Sequence, residues 1–257
     1  MRVVALQSGS SGNCIHVEAR GVRLLFDAGI SGKQAALRLA AAGGDIRAAD
    51  ALLISHDHAD HVRCAGIFQR KFGLPLYVTE PTLRAATAAQ ALGPLGDVRH
   101  FTTGETLRFG PEGRVRVETI PTPHDAADGC VFVVDDGRQR LGILTDLGHV
   151  FADLPAVVES LDAVLLESNN DLAMLEAGPY PVFLKQRILG PEGHISNDEA
   201  AELLVRSGRR LRWACLAHLS GENNTPAVAL ETHRAIVGEQ LPLHLAWRSH
   251  ASEALEV

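Results

Sequence analysis

His56-Asp57-His58-Ala59-Asp60-His61 follows the apolar run Leu52-Leu53-Ile54 after the single residue Ser55, and the reading of the fold turns on this junction. The apolar run has the character of a buried strand, so the next six residues fall in a tight turn at its end. Imidazole and carboxylate groups suit Zn²⁺, Mn²⁺ or Fe²⁺. Side chains two apart in such a turn point to one side, and the next pair is free to serve a second ion. Imidazoles packed this densely lose hydration without return unless a cation joins them. A solvated polar loop is the plainer alternative.

Working outward, the chain of 257 residues is 46% hydrophobic and 21% charged, enough for a substantial buried core. Its 24 Lys and Arg against 31 Asp and Glu leave a net charge of −7, which excludes a surface-wide trap for polyanions but not a local basic patch. No Pro/Ser-rich linker or low-complexity tract divides the chain, and a single domain over residues 1–257 is expected. No apolar run approaches the roughly 20 residues that span a bilayer, and Met1 leads straight into the strand-like Arg2–Leu6 without a signal-peptide pattern. A soluble, cytoplasmic protein with no membrane partner is the expectation. Cys14, Cys64, Cys130 and Cys215 are scattered among apolar residues with no CxxC pair, and read as reduced structural side chains.

The first 27 residues read as hairpin strands, Arg2–Gln7, Cys14–Ala19 and Val22–Phe26, joined in part by the Ser/Gly-rich Ser8–Gly12. The Ser8–Asn13 loop either lines a cleft or is only a tight turn. An Ala/Leu-rich helix starts at Ser31 and stops at Gly43-Gly44. Further strands are expected at Ala51–Ser55, Leu76–Thr79, Val115–Ile120, Cys130–Val134, Leu141–Thr145, Ala163–Glu167 and Trp213–Ala217. Helices are expected at Asp60–Phe72, Pro81–Leu92 and Val182–Leu189, from Ser196 with a capping box to Glu199, and from Thr225-Pro226. Two themes recur. Leu24-Leu25-Phe26-Asp27-Ala28-Gly29 is echoed by Ile143-Leu144-Thr145-Asp146-Leu147-Gly148, and Leu53-Ile54-Ser55-His56 by Cys215-Leu216-Ala217-His218. One ββα-rich unit used twice accounts for both, and two such halves facing each other place four strand ends along one edge.

The HxHxDH motif after a buried strand resembles the metallo-β-lactamase superfamily. The resemblance implies an α/β (α+β) fold, a four-layer αββα sandwich with two divalent metal ions, Zn or Mn, at one edge. It also implies further ligands at later strand ends, and the chain supplies His124 after Val117–Pro123, Asp146 after Leu141–Thr145 and His218 after Trp213–Ala217. By resemblance His56, His58 and His124 hold one ion, Asp60, His61 and His218 the other, and Asp146 bridges them. Aspartate at the bridge, where common β-lactamases carry cysteine, favours the phosphodiesterase, nuclease and thioesterase branches. Asp27 resembles the family's first motif, a buried acid bracing the HxHxDH loop; an ordinary turn aspartate is the alternative.

Gly193-His194-Ile195-Ser196-Asn197 precedes a predicted helix, whose free N–H groups and dipole would face an incoming anion. In phosphodiesterase branches a non-ligand histidine about two dozen residues before the last ligand contacts the scissile phosphate. His194 occupies that place, as general acid or transition-state stabiliser, with Ser196 and Asn197 as substrate contacts; the bland alternative makes Ser196 a cap only. Lys185 and Arg187 suit either phosphate contacts or a solvated helix face.

Longer strings, among them Ser8–Cys14, Thr122–Ala126, Leu144–His149, Tyr180–Ile188 and Leu216–Pro226, resemble the YycJ/WalJ-type branch, also labelled phosphoribosyl cyclic phosphodiesterase-like. Members of that branch are associated with 5′ to 3′ exonuclease action on DNA. The resemblance implies a dinuclear phosphodiester hydrolase with a metal-bridging hydroxide as nucleophile, oriented by Asp60. A small-molecule cyclic phosphodiesterase is the first rival; a thioester or lactone hydrolase and a noncatalytic regulatory protein follow. Asn170 departs from the branch, which usually carries histidine there.

Overall fold

Several strands of this chain are buried from end to end: Ala51–Leu53, Cys130–Asp135, Ala163–Glu167 and Trp213–Ala217. A sheet made of such strands must be covered on both faces. The computed structural model, which describes residues Met1–Val257, meets that demand with two sheets packed face to face and a layer of helices on each outer side.

The strands are β1 (Arg2–Gln7), β2 (Cys14–Ala19), β3 (Val22–Phe26), β4 (Ala51–Leu53), β5 (Leu76–Val78), β6 (Val98–His100), β7 (Thr106–Phe109), β8 (Val115–Pro121), β9 (Cys130–Asp135), β10 (Arg140–Leu144), β11 (Ala163–Glu167), β12 (Trp213–Ala217), β13 (Leu243–Leu245) and β14 (Leu255–Glu256). The helices are α1 (Gly32–Ala41), α2 (Ala59–Val62), α3 (Ala65–Phe72), α4 (Glu80–Ala89), α5 (Leu154–Glu159), α6 (Leu172–Ala177), α7 (Val182–Ile188), α8 (Asn197–Ser207) and α9 (Pro226–Val237). One sheet has the order β14-β1-β2-β3-β4-β5-β6, the other β13-β12-β11-β10-β9-β8-β7.

Alternation along each strand assigns residues to different cores. Leu24 and Phe26 of β3 enter the apolar layer between the sheets, where the Phe26 and Phe132 rings lie 5.0 Å apart, while Leu25 faces outward toward the cluster that holds Leu39 of α1 and Phe68 of α3. Val133, Leu144 and Leu166 of the second sheet meet Val158 of α5 and Leu203 of α8. Each such side chain contributes about 1.5–3 kcal/mol by its burial. All four cysteines are free, and no helix is long and apolar enough to cross a membrane.

Strands β3 to β6 are mutually parallel, as are β10 to β13, and β8 runs with β10 because both are antiparallel to β9. The carboxyl ends of β3, β4, β8, β10, β11 and β12 therefore open on one edge, the side on which open α/β sheets place their ligands. The first sequence echo is architectural, since β3 and β10 each stand fourth from the antiparallel end of their sheet. The second is not. By position the counterpart of β4 is β11, whereas β12 corresponds to β5, so the likeness of His56 and His218 is local.

The helix expected over residues 60–72 divides into α2 and α3. The chain is pinned at the break to the segment after β3, with Ala28 N–H donating to His61 O at 2.7 Å and Cys64 N–H to Ala28 O at 2.9 Å. Strands β6, β7, β13 and β14 and helices α5 and α6 lay outside the sequence expectation; they are short, and edge pairing or packing rather than periodicity defines them.

His16 in β2 is buried between Val4 and Leu25 with neither ring nitrogen hydrogen-bonded. Burial, then the charges of Arg2 and Arg23, brings its pKa from 6.5 down to about 4. The unfolded chain thus takes up a proton that the folded chain refuses, and stability held above the unfolded value is lost as pH falls through that window. Acidification across it should cost about 3 kcal/mol through this group alone. Denaturant melts across the same range should show a flatter pH dependence in His16→Leu; an unchanged slope would contradict the assignment.

Candidate metal centre and cleft

The edge is built by residues that leave their strands abruptly. Asp27 after β3, Asp146 after β10 and His218 after β12 have φ of 63°, 60° and 54°, a left-handed conformation that costs non-glycine residues of order 1 kcal/mol or more. Two glycines explain the recurring Asp-x-Gly. A Cβ on Gly29 would lie 1.6 Å from the Asp60 carbonyl oxygen, and one on Gly148 1.9 Å from that of Pro123. Only a bare backbone lets β3 close on the HxHxDH loop and β10 on the loop carrying His124.

Donor atoms of His56, His58 and His124 lie within 4.8 Å of one another, as do those of Asp60, His61 and His218. Asp146 belongs to two further groups of this kind, one with His56 and His61, the other with Glu167, His194 and His218. The structure thus brings together every residue that the sequence nominated as a ligand.

Each imidazole is held by one nitrogen and offers the other. His56 Nδ1 meets Ser55 Oγ at 2.9 Å, His58 Nε2 the Asp125 carbonyl at 3.0 Å, and His124 Nδ1 the Gly193 carbonyl at 2.9 Å. His61 Nδ1 lies 2.7 Å from Asp27 Oδ2, whose other oxygen accepts from Ser55 N–H and Oγ. Asp27 therefore ties Ser55 and His61 together at the two ends of the loop. The inward nitrogens converge: His61 Nε2 is 3.3 Å from Asp146 Oδ2, His218 Nε2 is 3.5 Å from Asp146 Oδ1 and from Asp60 Oδ2, and His58 Nδ1 faces His124 Nε2 at 3.2 Å.

The electrostatics fit a cation. Burial alone would depress the His61 and His218 pKa values, yet Asp146 and neighbouring carboxylates outweigh it, raising His61 well above 6.5 and His218 to about 10. Burial also opposes ionisation of Asp146, but His218, His61 and other imidazoles hold it well below the usual range. Protons on these histidines stand where positive charge is needed, and a divalent ion can replace them. His56 Nε2, His218 Nε2 and Asp146 Oδ2 are buried without hydrogen-bond partners, the orphaned donor set that a metal would satisfy.

Glu167, which the sequence reading left unremarked, is fully buried at the end of β11. Its Oε1 lies 2.6 Å from His194 Nδ1 and 3.4 Å from His218 Nδ1, and its Oε2 accepts from Leu147 N–H at 2.9 Å. His194 Nδ1 is also 3.9 Å from Asp146 Oδ1, so this ring belongs to the site while keeping Nε2 free of protein partners. The available signal was an acid closing an apolar strand, as at Asp27 and Asp146. Asn13 was half-legible within the Ser8–Asn13 loop: its amide lies 2.9 Å from His61 Nε2 and 3.3 Å from Asp60 Oδ2, and Ser8 Oγ accepts from His218 N–H.

Other expectations need correction. Ser196 and Asn197 are buried, although Ser196 lines the recess beside His194. Ser196 and Glu199 complete a reciprocal capping box, and Asn197 N–H donates to the Asn170 carbonyl at 2.8 Å, so the start of α8 is already satisfied. Asp198, Glu199 and Glu202 line a recess of about 410 Å³ beside His194 and make that wall acidic. Asn170 is wholly buried behind the helix start, so its departure from histidine changes packing rather than a substrate contact. Lys185 Nζ donates to the Glu176 carbonyl, and Arg187 Nε lies 2.5 Å from Asp125 Oδ2; Arg187 thereby steadies the residue whose carbonyl holds His58.

Residues 22–218 match the family described as the Beta-lactamase superfamily domain. Exodeoxyribonuclease WalJ of Streptococcus pneumoniae serotype 2 is 37% identical over 227 residues, 87% of this chain and 83% of that protein. Exodeoxyribonuclease YycJ of Bacillus anthracis is 33% identical over 247 residues, 93% and 92% of the two chains. Among solved structures, Zn²⁺-bound PqqB from Methylobacterium extorquens superposes with a TM-score of 0.71 at 20% identity, covering 100% of both chains.

Removing the brace should loosen the grip on metal without touching an inward-facing donor. Asp27→Ala is expected to weaken Zn²⁺ binding about 10- to 100-fold, read by competition with a chromophoric chelator. Unchanged affinity would show that His61 is held without it.

Proposed function

The chain belongs to the beta-lactamase superfamily and is a metal-dependent hydrolase; from that premise we propose that it degrades DNA from the 5′ end, acting as a single cytoplasmic domain with two divalent ions, zinc or manganese. The observation that carries the reading is the pair of donor groups flanking Asp146, with His194 beside them on a buried carboxylate. Relatives named exodeoxyribonucleases over most of their length support the choice of DNA.

His56, His58 and His124 would hold one ion and Asp60, His61 and His218 the other, with Asp146 shared. Two such ions, when bound, would supply hydroxide at neutral pH and would offset charge developing on phosphoryl oxygens. Asp60 would accept a hydrogen bond from that hydroxide and so orient it. His194 gives its Nε2 proton to the leaving oxygen as the phosphorus–oxygen bond breaks, while Nδ1–H stays hydrogen-bonded to Glu167, whose buried carboxylate keeps the ring in place. Ser196 and Asn197 fix the backbone that carries His194, and Ser196 also lines the recess beside it.

End-labelled single- and double-stranded DNA, incubated with zinc- or manganese-loaded protein, should shorten progressively from the 5′ end. Asp146→Ala should lose metal and activity together. His194→Ala should keep its metal and lose at least about a hundredfold in turnover. Loss of metal from the His194 variant would make it a ligand rather than the acid, and hydrolysis of bis(p-nitrophenyl) phosphate with DNA left intact would move the substrate to small diesters.

A further inference from the structure

Arg248 lies in the segment after β13 that closes over the Ser8–Asn13 loop, where Ser8 N–H donates to the Trp247 carbonyl at 3.0 Å and Arg38 Nη2 to the Ser249 carbonyl at 2.6 Å. Its side chain occupies a slot that exists because two side chains are missing. A Cβ on Gly9 would stand 2.9 Å from Arg248 Cγ, and one on Gly221 would stand 2.0 Å from Nη1 and 2.4 Å from Cζ. The guanidinium therefore lies against bare backbone in a settled position.

Nothing in the protein uses this charge. Arg248 makes no side-chain hydrogen bond or ion pair, and its Nε is buried without a partner. Arg187, by contrast, is paired with Asp125, and Arg63 donates to the Ser11 carbonyl. A half-buried guanidinium without an acceptor gives up hydration for no return, and its planar fork matches the oxygens of a phosphate.

The slot borders the cleft. Gly9 N–H donates to Asn13 Oδ1 at 2.8 Å, and Asn13 in turn touches Asp60 and His61. Gly221 stands three residues after His218. The opposite electrostatic character of the α8 wall, with Asp198, Glu199 and Glu202, turns a polyanion away from that side.

Resting on the nuclease reading above, we propose that Arg248 binds a phosphate of the substrate strand other than the one being cleaved. The binding of labelled single-stranded phosphorothioate oligonucleotides to the zinc-loaded full chain, followed by fluorescence anisotropy across a salt series, tests it. Arg248→Ala should bind about tenfold more weakly and lower the slope of log affinity against log salt by about 0.7. Gly221→Ala keeps the charge but displaces the guanidinium, so it should also weaken binding, and the double variant should be no weaker than Arg248→Ala alone. Zinc content and melting temperature serve as controls for all three variants.

A loss confined to 5′-phosphorylated oligonucleotides supports a terminal phosphate, and a loss with 5′-hydroxyl ends as well supports an internal one. Wild-type affinity and slope in either single variant overturn the proposal, as does weakening accompanied by loss of zinc or of melting temperature. A wild-type protein that binds neither oligonucleotide overturns the nuclease reading itself, a result visible without any variant.

Discussion

Asp27, Asp146 and Glu167 are buried carboxylates gathered at one edge of two sheets, and all three must be compensated for this fold to hold. A buried charge without a partner costs several kcal/mol. The compensation is a set of imidazoles: His61 between Asp27 and Asp146, His218 between Asp146 and Glu167, His194 on Glu167. Metal affinity and structural integrity share this charge balance, because a cation takes over the positive charge that protonated histidines otherwise provide.

That balance also explains the backbone. Three residues leave their strands with left-handed φ, and Gly29 and Gly148 admit neighbouring carbonyls where any side chain would collide. Such local strain persists because the layers on either side determine where each strand ends. The sheets supply direction, the apolar layer between them supplies rigidity, and the loops at the carboxyl ends carry the polar groups. Chemistry is thus concentrated on the part of the molecule with the least freedom to change its spacing.

Much of this was legible in the chain before folding was considered. His56, His58, Asp60 and His61 are adjacent, so their joint purpose is visible in six residues. Asp146 and His218 each follow an apolar strand, and His124 follows the alternating strand β8 by three residues. Glu167 also ends such a strand, but only the approach of His194 and His218 separates it from an ordinary strand-end acid. The capping box from Ser196 to Glu199 was legible too; that Asn170 and Glu199 close the helix start to an anion was not, because one of those partners reaches it across the fold. The second sequence echo misled for the same reason, since strand order is a property of the sheet and not of the string.

By itself, the sequence determined most of the longer strands and helices and the chemical type of the donors, because periodicity and side-chain identity are local, while the four-layer class came from its resemblance to the metallo-β-lactamase superfamily. Tertiary structure alone decided which nitrogen each imidazole presents, that Glu167 joins His194 to His218, that Arg187 serves Asp125, and that Arg248 is left without a partner. Those outcomes depend on atoms brought within hydrogen-bonding distance from remote parts of the chain, and only the packing of the two sheets sets that distance.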